Sequence, residues 1–310
     1  MPRYLRPGAY TERSDAAQSN RLLLRSDVPA FVGIAEKGPL DTPVPVESFR
    51  QFQAYFGEFI GAGYLAYSVR AFFDNGGRRC WVVRVASRSC DHHSGRAARC
   101  AEVLIRDLNG DPAWRIQAFS EGTWGNGLDL SLLEESRAEA VVAAGHLQAF
   151  CAQVSTTAGF DRGSLLRISQ EDSAGGLREL FRVVSYVDVE QRRLYWVHPR
   201  ARMGLPYDTP LENYDVNRPA RITNVTYRIN VFQDQELLAM YSGLGLIPEH
   251  TDYAPVRLAA LELDKTESRL QRVAEIPEPI VVLSERVASG DIPARLQIDP
   301  LQRLALRGGQ

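Results

Sequence analysis

The sequence predicts an α+β chain: an αβ portion at residues 21–86, a largely β domain at 110–263, and an extended N-terminal arm at 1–20. Three observations predict it. Two apolar runs, at residues 30–35 and 80–86, enclose two segments with helical spacing. Period-two alternation begins at Trp114, and Pro2 and Pro7 exclude a central strand from the opening residues. Residues 87–109 read as a loop or linker and 264–310 as a connector, so the 310 residues divide as two domains would, at about 100–200 residues each.

The opening stretch is an edge strand or a free arm, and residues 13–20 are polar. Residues 30–35 form a buried strand that Gly38 and Pro39 end. Ser48 and Gln51 have capping-box spacing, with Phe49, Phe52, Tyr55 and Phe56 on one helical face and Gly57 as the stop. A second helix at 64–75 carries the stripe Leu65, Val69, Phe72 and Phe73 and is closed by Asn75, Gly76 and Gly77. A second buried strand at 80–86 completes this unit, and a Ser/Arg/Gly-rich loop comes next at 87–99.

Beyond it, Leu128, Leu130 and Leu132 continue the alternation of residues 114–119 after a glycine-rich turn at 122–127. Residues 139–154 are expected to be helical, and 165–168, 181–189 and 193–197 to be strands. Val225, Tyr227, Ile229 and Val231 share one face of a strand at 223–232, against which 236–241 pairs back. A helix is expected at 253–263. Pro277, Pro279, Pro293 and Pro300 then punctuate the connector, whose apolar run is 280–283.

Thirty-six basic against 38 acidic residues give a net charge of −2, without the basic excess of a general nucleic-acid binder. No apolar run reaches the ~18 residues of a membrane span, and the first residues lack the apolar core of a secretory signal. A soluble protein, cytoplasmic at synthesis, is expected. Only Lys37 and Lys265 are lysines. The arginine bias suits interface ion pairs, although base composition of the gene produces the same bias.

Catalytic patterns do not emerge. Cys80, Cys90, Cys100 and Cys151 lack paired metal spacing, and Cys90, His92, His93 and Cys100 form no standard zinc set. All four cysteines are expected as free thiols. The segment from Gly33 to Gly38 lacks the Lys-Ser/Thr of a phosphate loop, and Gly76-Gly77 succeeds a helix rather than opening one. Glu134-Glu135 and Glu171-Asp172 would point to opposite strand faces, and His146 and His198 stand alone. The reading is of no enzyme, no cofactor and no metal.

The segments that resist a catalytic reading resemble a known family. Arg6-Pro-Gly-Ala-Tyr-Thr-Glu12 and then Val28-Pro-Ala-Phe-Val-Gly-Ile-Ala-Glu-Lys-Gly-Pro39 resemble the start of contractile tail sheath proteins, of phage tails and of extracellular injection systems. Ser48-Phe-Arg-Gln-Phe-Gln-Ala-Tyr-Phe-Gly57 and residues 64–85 are similar to the next segments of that family. Gly122-Thr-Trp-Gly-Asn-Gly-Leu128 resembles a turn of its inserted domain, and Arg228-Ile-Asn-Val-Phe-Gln-Asp234 with Tyr241-Ser-Gly-Leu244 a later strand pair. The order of the pieces, over 6–86 and then about 110–262, makes the resemblance specific.

The resemblance implies a sheath core domain whose N-terminal αβ portion is residues 21–86, with the β domain inserted and facing outward. It implies a homo-oligomer polymerised around an inner tube protein, bounded by baseplate and terminator or cap proteins, that contracts to drive the tube through an envelope. No nucleic acid, membrane or cofactor is implied. The intersubunit arm would be Tyr4, Leu5, Arg6, Pro7, Gly8, Ala9, Tyr10 and Thr11, lent as a strand to a neighbour's sheet. Family members continue past such a connector into a C-terminal half, which is expected to be missing here, as in a fragment or a shortened component. After assembly the protein would belong to a phage tail or a released particle. The alternative is a non-contracting adaptor, cap or baseplate component. An enzyme acting at a cell surface is a third reading, resting only on the unassigned β domain.

Overall fold

A computed structural model describes residues 28–87, 97–107, 110, 112–171, 175–197, 214–259, 280–285, 296–299 and 302–310. The expected arm, Tyr4 to Thr11, lies outside the described residues, as do Cys90, His92, His93 and His198.

Strands β1 (Ala30–Gly33), β2 (Pro43–Val46) and β3 (Cys80–Arg84) form a small sheet in the order β1-β3-β2, with helices α1 (Phe49–Phe56) and α2 (Leu65–Asp74) between β2 and β3 in the chain. β1 runs parallel to β3 from Ala30↔Trp81 to Gly33↔Arg84, and β2 antiparallel from Pro43↔Val83 to Val46↔Cys80. The Ser48 hydroxyl accepts from the Gln51 N–H at 3.2 Å, and the Gln51 side chain accepts from the Glu47 N–H at 2.8 Å. That reciprocal cap starts α1 where its spacing indicated. Phe52, Phe56, Leu65, Ala66 and Val69 bury against Val44, Val46, Cys80 and Val82.

The body is built from strands. β4 (Glu102–Arg106) and β5 (Pro112–Ala118) precede a 3₁₀ turn at Thr123–Gly127 and the long β6 (Leu128–Val142). Then come β7 (Cys151–Gln153), β8 (Leu165–Glu171), β9 (Leu177–Asp188), β10 (Arg193–Val197), β11 (Ala220–Gln233) and β12 (Glu236–Leu244). The short helix α3 (Ala254–Arg257), β13 (Val281–Glu285) and β14 (Leu304–Ala305) complete the order. The large sheet has the order β14-β6-β11-β8-β9-β10-β7, and β12 pairs with β11. One side of β11 pairs with β6 along its whole length; the other is shared, Arg221–Val225 with β8 and Tyr227–Gln233 with β12.

That sharing divides the interior. One cluster joins Leu128, Leu130, Leu132, Tyr227, Ile229 and Val231 of the large sheet to the small sheet β13-β5-β4 through Trp114, Ile116, Val281 and Leu283. Trp114 meets Tyr227 edge-on, with ring centres 5.6 Å apart. A second cluster holds Val142, Leu147, Phe160, Leu166, Ile168, Leu194, Trp196 and Ile222.

The α+β expectation is overturned: the described residues are mostly β, 47% strand against 12% helix, with large antiparallel sheets. The expected αβ portion amounts to two helices on one three-stranded sheet. Two expected helices account for much of the difference. Residues 139–142 continue β6, with Ala140 and Val142 buried and Val141 54% exposed, because β11 supplies partners from Ala220 to Thr223. A long neighbour with free ladder positions overrides a helical spacing that short apolar runs satisfy equally well. Of residues 253–263, helix is described only at Ala254–Arg257, and those from 260 lie outside the described residues. The Leu258 carbonyl takes the Leu283 N–H at 2.9 Å, so the chain there joins a strand. Strands also occur at Glu102–Arg106, Val281–Glu285 and Leu304–Ala305, in stretches read as linker and connector.

Candidate self-association surface

The two edges of the small sheet differ chemically. On β3, the Trp81 N–H donates to the Pro29 carbonyl and the Val85 N–H to the Gly33 carbonyl, each at 2.9 Å. In a parallel ladder alternate residues face the partner strand. Phe31 and Gly33 therefore face β3, whereas Ala30, Val32 and Ile34 turn their N–H and C=O groups outward. By the same alternation Cys80 and Val82 face β2, which leaves Pro43 and Pro45 pointing out from the far edge. Proline has no N–H, so that edge lacks donors where an added strand would need them. The β1 edge has all of its donors, and among the described residues no strand pairs with it.

The faces around this edge are apolar. Val32 is 65% exposed, and Val32, Trp81 and Val83 share the sheet face opposite the helices, outside all three hydrophobic clusters. On the outer helical side, rings run in contact from Tyr64 to Tyr67 to Phe59 to Phe49, at centre distances of 6.5, 4.7 and 5.5 Å. The Arg70 guanidinium lies 5.8 Å from both Phe49 and Phe59. Tyr64 is 83% exposed. Aromatic rings with arginine are the composition enriched in protein interfaces.

A buried arginine holds this unit to the body. Arg84, at the end of β3, donates to the carbonyls of Ala35 at 3.1 Å, Gly38 at 2.7 Å and Glu121 at 2.8 Å. Burial pulls its pKa below the usual arginine value, opposed by the Glu121 carboxylate 4.0 Å away. The Gly38 N–H donates to the Ser120 hydroxyl at 3.0 Å. Gly122, at φ 128°, approaches so closely that a side chain there would strike the Glu36 carbonyl. Asn126 exchanges hydrogen bonds with the Gly309 carbonyl at 3.0 Å and N–H at 2.9 Å, and Arg99 and Gln310 pair through their backbones. Three chain segments, around Glu36–Gly38, Arg84 and Gly122, thus meet at one junction.

Of the residues weighed for catalysis or metal binding, several lie among the described residues. In the glycine-bounded segment the Lys37 N–H donates to the Phe56 carbonyl and its ammonium lies 6.0 Å from the Trp124 ring, so the backbone is spent on the fold. Glu134 pairs with Arg167 at 2.7 Å and Glu135 with Arg228, on opposite faces of β6. Burial pushes the Cys80 and Cys100 thiols up to about 11. Among the described residues no group of three His, Cys, Asp or Glu is placed to hold a metal ion. No described helix is long and apolar enough to cross a membrane.

Sequence reasoning missed the open edge and the Arg84 junction. Arg84 sat unremarked in an apolar run, where a lone charge between Val83 and Val85 was the available signal. Comparison with protein-family models gives no match, and comparison with curated proteins gives none.

Proposed function

We propose that this chain is a structural subunit of a contractile sheath, of a phage tail or a related injection system. It performs no chemistry; it polymerises around an inner tube and contracts to drive that tube through a target envelope. Neighbours at the ends are baseplate and terminator or cap proteins. Assembly takes place in the cytoplasm, and the product is a tail or a released particle.

The observation that carries this reading is the asymmetry of the small sheet. One edge is silenced by Pro43 and Pro45, while β1 offers outward donors and acceptors at Ala30, Val32 and Ile34. Such an edge suits an extended segment lent by another copy. The ordered likeness of residues 6–86 to sheath proteins supports the same reading and supplies the donor, residues 4–11. Contraction is then a shift between two packings of tied subunits, driven by their difference in free energy.

Electron microscopy of the full gene product tests it. Helical tubes are expected, and deletion of residues 1–20 should abolish them while leaving a folded monomer. Tubes that form normally without residues 1–20 would refute the lent strand; closed rings would favour the adaptor, and a solitary monomer that consumes a small molecule would favour an enzyme.

A further inference from the structure

The loop between β12 and α3 is closed around a buried histidine. His250 is 4% exposed, and its Nδ1 accepts from the Asp252 N–H at 3.0 Å. That bond places the ring proton on Nε2. Nε2 is itself buried and has no partner among the described residues. Around it the Gly245 N–H donates to the Asp252 carbonyl at 2.7 Å and the Ala254 N–H to the Gly245 carbonyl at 3.0 Å. The ring leaves no room for a side chain at Gly245.

The loop spans the division in the interior. Leu246 and Ile247 belong to the first cluster. The backbone of Glu249 and His250 presses on Gly163, in the connection from β7 to β8 that carries Phe160 of the second cluster. Gly163 has φ +84°, and a side chain there would strike the His250 backbone.

We propose that His250 is an acid-sensitive latch: the neutral ring holds the 245–253 loop against the β7–β8 connection, and protonation releases it. A proton on Nδ1 would face the Asp252 N–H, setting two donors against each other in a buried site. The charged groups facing the ring are Asp252 in its own loop, Asp161 in the β7–β8 connection and Arg137 on β6. Asp252 is already held by Arg137 at 2.7 Å and approached by Arg257 of α3 at 3.7 Å, so an imidazolium gains no free carboxylate there. Burial and Arg137 outweigh the two aspartates and keep the ring neutral below the ordinary histidine range. Release lifts the 245–253 loop from the connection that carries Phe160, while β6 and β11 still run through both clusters.

Amide hydrogen exchange in peptides covering 245–257, corrected for intrinsic rates, tests the latch. Protection is expected to fall about tenfold or more between pH ~7.5 and ~5 in the unaltered chain. His250→Asn keeps an acceptor near the Nδ1 position without a titratable ring, and should flatten that dependence to within about twofold. Unchanged protection in the unaltered chain, or an equal fall in the variant, overturns the proposal. Should the variant fail to fold, NMR titration of the His250 ring decides: a midpoint below 6.5 shared with loop opening supports the latch, and one at or above 6.5 overturns it.

Discussion

The Arg84 guanidinium donates to the Glu121 backbone carbonyl at 2.8 Å, joining residues 37 apart in sequence and tying the end of β3 to the turn that succeeds β5. The same side chain also holds the carbonyls of Ala35 and Gly38, so one buried cation organises three chain segments. Its charge is spread over carbonyl dipoles, with one carboxylate at the limit of an ion pair. A planar fork with five donors meets that geometry, and a point-charge ammonium does not.

Arg84→Met should therefore cost about 3–5 kcal/mol, because it strands three buried acceptors at about 1–3 kcal/mol each with partial relaxation. Arg84→Lys should recover less than half. Urea denaturation followed by tryptophan fluorescence reads both. A loss under about 1 kcal/mol for the methionine variant would mean that the junction is not held by this side chain.

Val32→Pro should separate folding from the proposed assembly. The Val32 N–H points away from β3, so proline there removes no ladder bond, and Phe31 before it is already extended. Monomer stability should change by about 1 kcal/mol or less. Strand addition at that edge should fail, and sedimentation velocity should show loss of large assemblies. Assembly equal to that of the unaltered chain would place the contact elsewhere.

How far the fold was legible depended on whether a signal was local. The α1 cap, the Phe52–Phe56 face and the alternation of Leu128, Leu130 and Leu132 depend on residues within one turn or one strand, and each appears where the sequence placed it. Residues 139–142 do not: their state is decided by β11, some 80 positions later, as a ladder partner. β2 was hidden because Pro43 and Pro45 argue against a strand unless it lies at an edge with both prolines outward. β13 and β14 are short and pair with β5 and β6, far back along the chain. The candidate edge was not legible: an acceptor edge exists only once the order β1-β3-β2 is known, and the expected arm at Tyr4–Thr11 lies outside the described residues.

Two aromatic truncations should rank by burial rather than by ring size alone. Trp114 is 1% exposed and packs edge-on to Tyr227 between two sheets, so Trp114→Ala should cost about 3–5 kcal/mol. Phe72 lies on the expected helical stripe but is only partly buried, against Phe31 at 5.7 Å and Phe73 at 5.2 Å. Phe72→Ala should cost about 1.5–3 kcal/mol. Equal losses in matched denaturation curves would show that the small unit buries its rings as fully as the body does.

The thiols give a pH prediction with a definite sign. Burial raises Cys80 and Cys100 from 9.0 to about 11, and the neighbouring Glu121 adds to the shift at Cys100. Below 9.0 both folded and unfolded chains hold these protons, so stability is unaffected there. As pH rises from 9.0 toward 11 the unfolded chain ionises first, and stability falls. At pH ~8 the folded thiolate fraction is about 0.1%, against about 10% unfolded, so Cys100 should react with iodoacetamide about a hundredfold more slowly in the native chain. Peptide mass spectrometry after timed quenching measures the ratio. Native and denatured rates within about threefold would mean that the Cys100 sulfur sits in water rather than against the Arg84 junction.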